Sequence, residues 1–226
     1  MILYYSGGDK KQGGVGFMVD SRTTRSMIAF QPFSNRLAIL TIDGTVMTHI
    51  VSIYAPTDVS PDNMKDDFYT QLQDALGTIP GRDLVILAGD FNAHVGTDRA
   101  GWEGMLGRFS VGTNNDNGLR LLSFAAFNNL IIGNSHFQHP RKHQLTWRHP
   151  SGKDTAVLDY FLISHLNASS LDIAARGVND TTQEIKYQQH NTPPNCEALL
   201  YVKYQWPCWK TIRRAGGLKA GVFGTR

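Results

Sequence analysis

The sequence predicts an α/β fold in which two packed β-sheets are flanked by helices. Three observations predict it. Two β-rich runs flank the dipeptide Asp43-Gly44, a turn signal for a hairpin. Two helical stretches, 60–77 and 118–129, each lead directly into a short apolar run. Hairpins alternating with strand–helix–strand units are the pattern of sheets covered by helices.

The elements follow in chain order. "VGFMVD" (15–20) alternates apolar and polar residues and predicts a half-buried strand. "RLAILTIDGTVMTHIVSIYAP" predicts a hairpin with a tight turn at Asp43-Gly44, stopped by Pro56, which cannot donate to a ladder. In "SPDNMKDDFYTQLQDALG", Ser60 is the expected helix cap and Pro61 the first helical residue. Asp62 puts negative charge in the first turn. Met64, Phe68, Leu72 and Leu76 recur every fourth residue as one apolar stripe, and Gly77 ends the helix. Asp83–Ala88 is a continuous apolar strand. "GLRLLSFAAFNN" is a second helix, and "LIIG" a strand after it. "LTWRHPSGKDTAVLDYFLIS" is a hairpin bending at Pro150-Ser151-Gly152. After about Ser170 the periodicity decays, and 179–226 is expected to be a divergent, poorly ordered tail.

Composition narrows the class. A chain of 226 residues with 41% hydrophobic and 18% charged residues suits one globular domain. Cys196 and Cys208 are too few for a disulfide framework, and the apolar start Ile2–Tyr5 is too short for a signal peptide. The expected compartment is therefore intracellular, the nucleus included. The net charge of +3 is unevenly spread. Residues 1–165 carry 14 Lys and Arg against 15 Asp and Glu, and the remainder 8 against 4. The body has no global field that calls for nucleic acid, so a nucleic-acid partner has to be argued from a site.

Three strand ends carry polar groups: Tyr54 in "VSIYAP", Asp90 and Asn92 in "GDFN", and Asp159 in "AVLDYFLIS". Asp159 interrupts an apolar run, and a buried carboxylate is costly unless paired, hydrogen-bonded or near a metal. If the three strands are neighbours, their ends share one rim. Such a set suits phosphodiester hydrolysis. Asp90 can deprotonate or orient water. Asn92 offers an acceptor and donors. Tyr54 can donate to a phosphoryl oxygen, and a divalent cation with oxygen ligands such as Asp90 and Asn92 would offset the developing charge.

The motifs "IYAPTD", "LAGDFNAHVG", "NGLRLLSFAAFNNLIIGNSHF", "LTWRHPSGK" and "LDYFLIS" resemble the endonuclease/exonuclease/phosphatase superfamily. They are similar in particular to endonuclease domains of non-LTR retrotransposons and the craniofacial development protein 2-like proteins related to them. The resemblance runs over residues 1–178. It implies a DNase I-like two-sheet sandwich and Mg²⁺- or Mn²⁺-dependent cleavage of DNA. It also implies a phosphate-contacting Tyr54, catalytic Asp90 and Asn92, and an Asp159 that orients a histidine.

The chain departs from that family at both ends. The family's opening strand with its asparagine, and the metal-binding glutamate after it, precede anything found here. The Ser-Asp-His motif expected after "AARGVND" is replaced by "TTQEIKYQQH", so Asp180 is followed by Thr181 and His190 lacks its Ser-Asp. The expectation is a weakened nuclease, since one acid–base group alone is worth ~10²–10⁴-fold. The alternative is a catalytically inactive, retroelement-derived remnant that binds nucleic acid or phosphate.

Other features have plainer readings. Asp90 and Asn92 alone could form an Asx turn. The histidines His136, His139, His143 and His149 are spaced loosely for zinc, with no cysteine near. His94 is read as a solvated loop residue, and Trp147 as core. Trp206, Trp209, Lys210, Arg213 and Arg214 could touch nucleic acid, although an undocked tail explains them as well.

Overall fold

A computed structural model describes residues 2–7, 14–138, 144–148, 151, 155–164, 171–179, 182–189 and 198–204. The strands are β1 (Ile2–Ser6), β2 (Val15–Val19), β3 (Met27–Pro32), β4 (Leu37–Ile42), β5 (Thr48–Tyr54), β6 (Leu84–Asp90), β7 (Leu130–Ile132), β8 (Trp147–Arg148), β9 (Thr155–Ala156), β10 (Asp159–Ser164), β11 (Leu171–Asn179), β12 (Thr182–Gln189) and β13 (Ala198–Tyr204). The helices are the single turn α1 (Thr23–Ser26), α2 (Asp62–Gly77) and α3 (Asp116–Phe127).

Two sheets form the body. One has the order β3-β4-β5-β6-β10-β7 and the other β1-β2-β13-β12-β11, while β8 and β9 make a separate short pair. In the six-stranded sheet only β5 and β6 run parallel, because α2 carries the chain back between them. The strands β12 and β13 come from residues beyond 178, and β13 pairs with β2.

Side-chain alternation sorts the core into two layers. Ala38, Leu40, Ile42, Ile50, Leu84, Ile86 and Ala88 meet Val15, Phe17 and Val19 of β2 between the sheets. Leu37, Ile39, Val51, Ile53 and Leu87 face the other way and pack with Phe68, Leu72 and Ala75 of α2 and Leu121, Leu122 and Ala125 of α3. Strand β6 is apolar throughout because both faces are covered, and its Asp90 is the last residue of the strand.

Several local expectations need correction. Strand β2 is not among them: Val15, Phe17 and Val19 are buried against the opposite sheet and Met18, on the other face, is half-buried, as the alternation predicts. The β4–β5 connection spans residues 43–47, longer than the tight two-residue turn expected at Asp43-Gly44. Ser60 does not cap α2; the helix begins at Asp62 after Pro61 with no side-chain cap hydrogen bond, and the Ser60 hydroxyl lies 3.0 Å from that of Thr57. Met64 is exposed and Lys65 is buried instead. Lys65 is drawn inward by Asp116 of α3, whose Oδ2 lies 3.0 Å from Nζ. Arg120 of α3 completes this inter-helix clasp with Asp116, Asp62 and Asp66. At the opposite end of the sheet, Thr41 Oγ1, His49 and Asp83 form a hydrogen-bonded chain of 3.1 and 3.0 Å that ties β4, β5 and the entry to β6.

Candidate functional site

Strand order places three of the expected residues at one rim. Tyr54 ends β5 and is register-paired with Asp90 at the end of parallel β6. Asp159 begins β10 and is register-paired with Asp90 from the other side. Because β10 runs antiparallel to β6, its first residue lies beside the last residues of β5 and β6. At about 4.8 Å between strands, the three backbone positions span roughly 10 Å. Gly89 permits this close arrangement. It has φ +148°, and a Cβ there would collide with the Ile53 carbonyl oxygen of β5.

Asn92 lies just beyond the rim and is held by the loops around it. Its φ of 47° is left-handed, a conformation asparagine tolerates better than most residues. Its backbone N–H donates to Asp90 Oδ1 at 2.8 Å, and its Nδ2 donates to the Ala55 carbonyl at 2.9 Å. The Ala55 N–H donates to the Asp90 carbonyl at 2.8 Å, and the Phe91 N–H to the Leu158 carbonyl at 3.0 Å. The turns carrying "YAP", "GDFN" and "LDY" are therefore stitched to one another.

Four residues that sequence reasoning left out of the site hold it in place. Asn117, buried in the first turn of α3, donates from Nδ2 to the carbonyls of Asn92 (2.8 Å) and Pro56 (3.0 Å). Asn115 caps α3 through Gly118 N–H and also accepts from His94 N–H, both at 2.9 Å. Thr146 Oγ1 accepts from the N–H groups of Leu158 (3.0 Å) and Asp159 (3.2 Å). Asn134 Nδ2 donates to the Asp159 carbonyl at 2.9 Å. The one available signal was "NDNG" before an apolar helix, a capping pattern that locates a helix start without revealing its long-range partners.

The electrostatics single out Asp90. It is 8% exposed, and burial pushes its carboxyl up to about 7, with the Asn92 N–H pulling the other way. Asp159 is also buried, at 4% exposure. The neighbouring Tyr160 hydroxyl is pushed upward by burial and lies 3.1 Å and 3.0 Å from the carbonyls of Ala93 and Val157. Tyr54 is half-buried. The Arg36 guanidinium lies over its ring, 5.2 Å from the centroid, and donates from Nη1 to the Tyr54 carbonyl at 3.0 Å.

The donor set suits a magnesium ion in kind but not in number. Asp90, Asp159 and the Asn92 Oδ1 are hard oxygen donors of the type such ions take. Among the described residues, however, no group of three or more His, Cys, Asp or Glu side chains could hold a metal ion. His136 is engaged with the Met105 carbonyl at 3.2 Å, and His139, His143 and His149 lie outside the described residues. So do Trp206, Trp209, Lys210, Arg213 and Arg214.

With this geometry in view, comparisons place the architecture. The structure of the 3′ phosphatase NExo from Neisseria, bound to product DNA hairpin, matches with a TM-score of 0.50 and 14% identity, over 89% of this chain and 78% of that one. The chain has the fold of the endonuclease/exonuclease/phosphatase family. The endonuclease domain of TRAS1, a telomere-specific non-LTR retrotransposon, matches at TM-score 0.47 and 11% identity, over 89% of this chain and 77% of that one. In sequence, craniofacial development protein 2 of Tragulus javanicus is 30% identical over 174 residues, which is 76% of this chain. The chain spans only 30% of that relative's length. No family model matches. Among the described residues, no helix of this endonuclease/exonuclease/phosphatase fold is long and apolar enough to cross a membrane.

Proposed function

We propose that the chain is a phosphodiesterase of endonuclease type acting on DNA, with Tyr54, Asp90, Asn92 and Asp159 as its working residues. The observation that carries this reading is the side-by-side register of Tyr54, Asp90 and Asp159. The Asn92 N–H to Asp90 bond is the Asx turn that the plainer reading of these two residues expects, and it holds Asn92 beside that rim. A carboxyl with its pKa pushed to about 7 can both take and release a proton near neutrality, which is the property a general base needs. In this reading Asp90 takes the proton from the attacking water. Asn92, pinned by the Ala55 carbonyl, keeps its Oδ1 available to orient that water. Tyr54 donates its hydroxyl hydrogen to a non-bridging phosphoryl oxygen. Asp159, across the ladder from Asp90, keeps that flank polar. A divalent cation, Mg²⁺ or Mn²⁺, would supply charge neutralisation when bound, with Asp90 and Asn92 as its protein ligands.

DNA as the substrate class draws support from the compared NExo structure, which holds a DNA product. The small number of acidic ligands favours weak turnover, and it equally motivates the second reading, an inactive module that binds nucleic acid or phosphate. Nicking of supercoiled plasmid in Mg²⁺, compared between wild type and Asp90→Ala, separates the two. Nicking that disappears in the variant supports the enzyme. Equal nicking by both proteins, or none by either, removes it. Parallel assays with p-nitrophenyl phosphate and a dinucleotide distinguish a phosphatase from a nuclease.

A further inference from the structure

Residues 1–165, with 14 Lys and Arg against 15 Asp and Glu, offer no general field for DNA, so a phosphodiesterase reading needs a cation at the site itself. Arg36 supplies one. It immediately precedes β4, and its carbonyl accepts the Tyr54 N–H at 3.0 Å, which sets it opposite Tyr54 at the same rim. Its guanidinium is held twice, by stacking on the Tyr54 ring at 5.2 Å and by the Nη1 hydrogen bond to the Tyr54 carbonyl at 3.0 Å. A guanidinium has five N–H donors, and this hydrogen bond uses one. No carboxylate among the described residues lies within ion-pair distance of it. The other basic side chains near the motif elements are consumed differently: Lys65 and Arg120 by the aspartates of the helix clasp, and Arg99 by the carbonyls of Leu106 and Glu103.

We propose that Arg36 is a substrate-docking residue that takes a backbone phosphate of DNA beside the one held at Tyr54 and Asp90. The inference rests on the phosphodiesterase reading of the same site and adds the group that anchors the strand. Arg36 and Asp90 stand two strands apart, about 10 Å along the rim. That separation puts the guanidinium on a neighbouring phosphate and leaves the reacting one to the residues of β5, β6 and β10. The ring beneath it and the hydrogen bond to the Tyr54 carbonyl hold the guanidinium at the rim before substrate arrives. A planar fork suits bidentate contact with phosphate, and lysine cannot reproduce it.

The test is equilibrium binding of a fluorescein-labelled DNA duplex by anisotropy, in EDTA so that no cleavage occurs, across a salt series. The proteins are wild type, Arg36→Gln, Arg36→Lys and, as a control, Arg82→Gln, whose side chain is exposed at the opposite end of β6. Arg36→Gln should weaken binding on the order of three- to tenfold and lower the salt slope by about one. Arg36→Lys should keep the slope yet bind less tightly, and Arg82→Gln should match wild type. Thermal melts check folding; should Arg36→Gln fail to fold, the Arg36→Lys affinity decides, and an undiminished value overturns the proposal. Wild-type affinity and slope in Arg36→Gln also overturn it, while Asp90-dependent nicking would leave the phosphodiesterase reading standing. A wild-type protein that binds no DNA in this assay removes the docking proposal, and the phosphodiesterase reading is then decided by the Asp90-dependent nicking in Mg²⁺ alone.

Discussion

Asp159, the first residue of β10, sits directly across the ladder from Asp90, the last residue of β6. Both residues are more than nine-tenths buried. Burial disfavours the ionised form of Asp90 and pushes its carboxyl up to about 7, against the pull of the Asn92 N–H. A fold that buries such a carboxyl sacrifices stability at that place.

The sacrifice should be visible in the pH dependence of stability. Asp90 titrates near 7 in the folded protein and near the ordinary carboxylate value when unfolded. Between those values the folded state keeps a proton that the unfolded state has lost, so stability falls as pH rises through this window. Asp90→Asn removes that loss. In EDTA, urea denaturation should find the variant more stable than wild type at pH 8 by roughly 1–4 kcal/mol, each pKa unit being worth about 1.4 kcal/mol. The difference should shrink towards pH 4. A variant less stable than wild type at pH 8 would contradict the buried-acid account.

Gly118 should resist substitution. A Cβ there would overlap the His94 carbonyl oxygen, which belongs to the loop following "GDFN". Backbone cannot yield as a flexible side chain does. Gly118→Ala should therefore destabilise by about 1–3 kcal/mol, in the range of overpacking, measured by chemical denaturation. An unchanged midpoint would mean that α3 does not abut the site loop as described.

Thr146 offers a cleaner probe of positioning. Its hydroxyl accepts the N–H groups of Leu158 and Asp159, so Thr146→Val leaves two backbone donors in want of a partner at nearly constant volume. The expected cost is about 1–3 kcal/mol. Plasmid nicking should fall as Asp159 loosens, and Thr146→Ser, which restores the acceptor, should recover it. Equal nicking by the valine and serine variants would show that the hydroxyl does not serve the site.

The sequence made the strand ends legible because each site residue closes or opens an apolar run: Tyr54 before Ala55-Pro56, Asp90 after Leu84–Ala88, Asp159 before Tyr160-Phe161-Leu162-Ile163. Their adjacency was a condition that local patterns left open, and the pairing of β6 with β5 and β10 meets it. The supports were not legible. Asn117 finds its acceptors 25 and 61 residues away, a distance that no local pattern reports. The helix stripe was misread at Met64 for the same reason: counting fours along α2 could not foresee that Asp116 on another helix would draw Lys65 inward.

Most directly, the central claim is that Asp90 and Asp159 work as one unit at a shared rim. A double-mutant cycle on plasmid nicking, with Asp90→Asn, Asp159→Asn and the pair, measures it. Groups acting together are non-additive, so the double variant should be little slower than the worse single one. Losses that simply multiply, or nicking that neither substitution touches, would contradict the account.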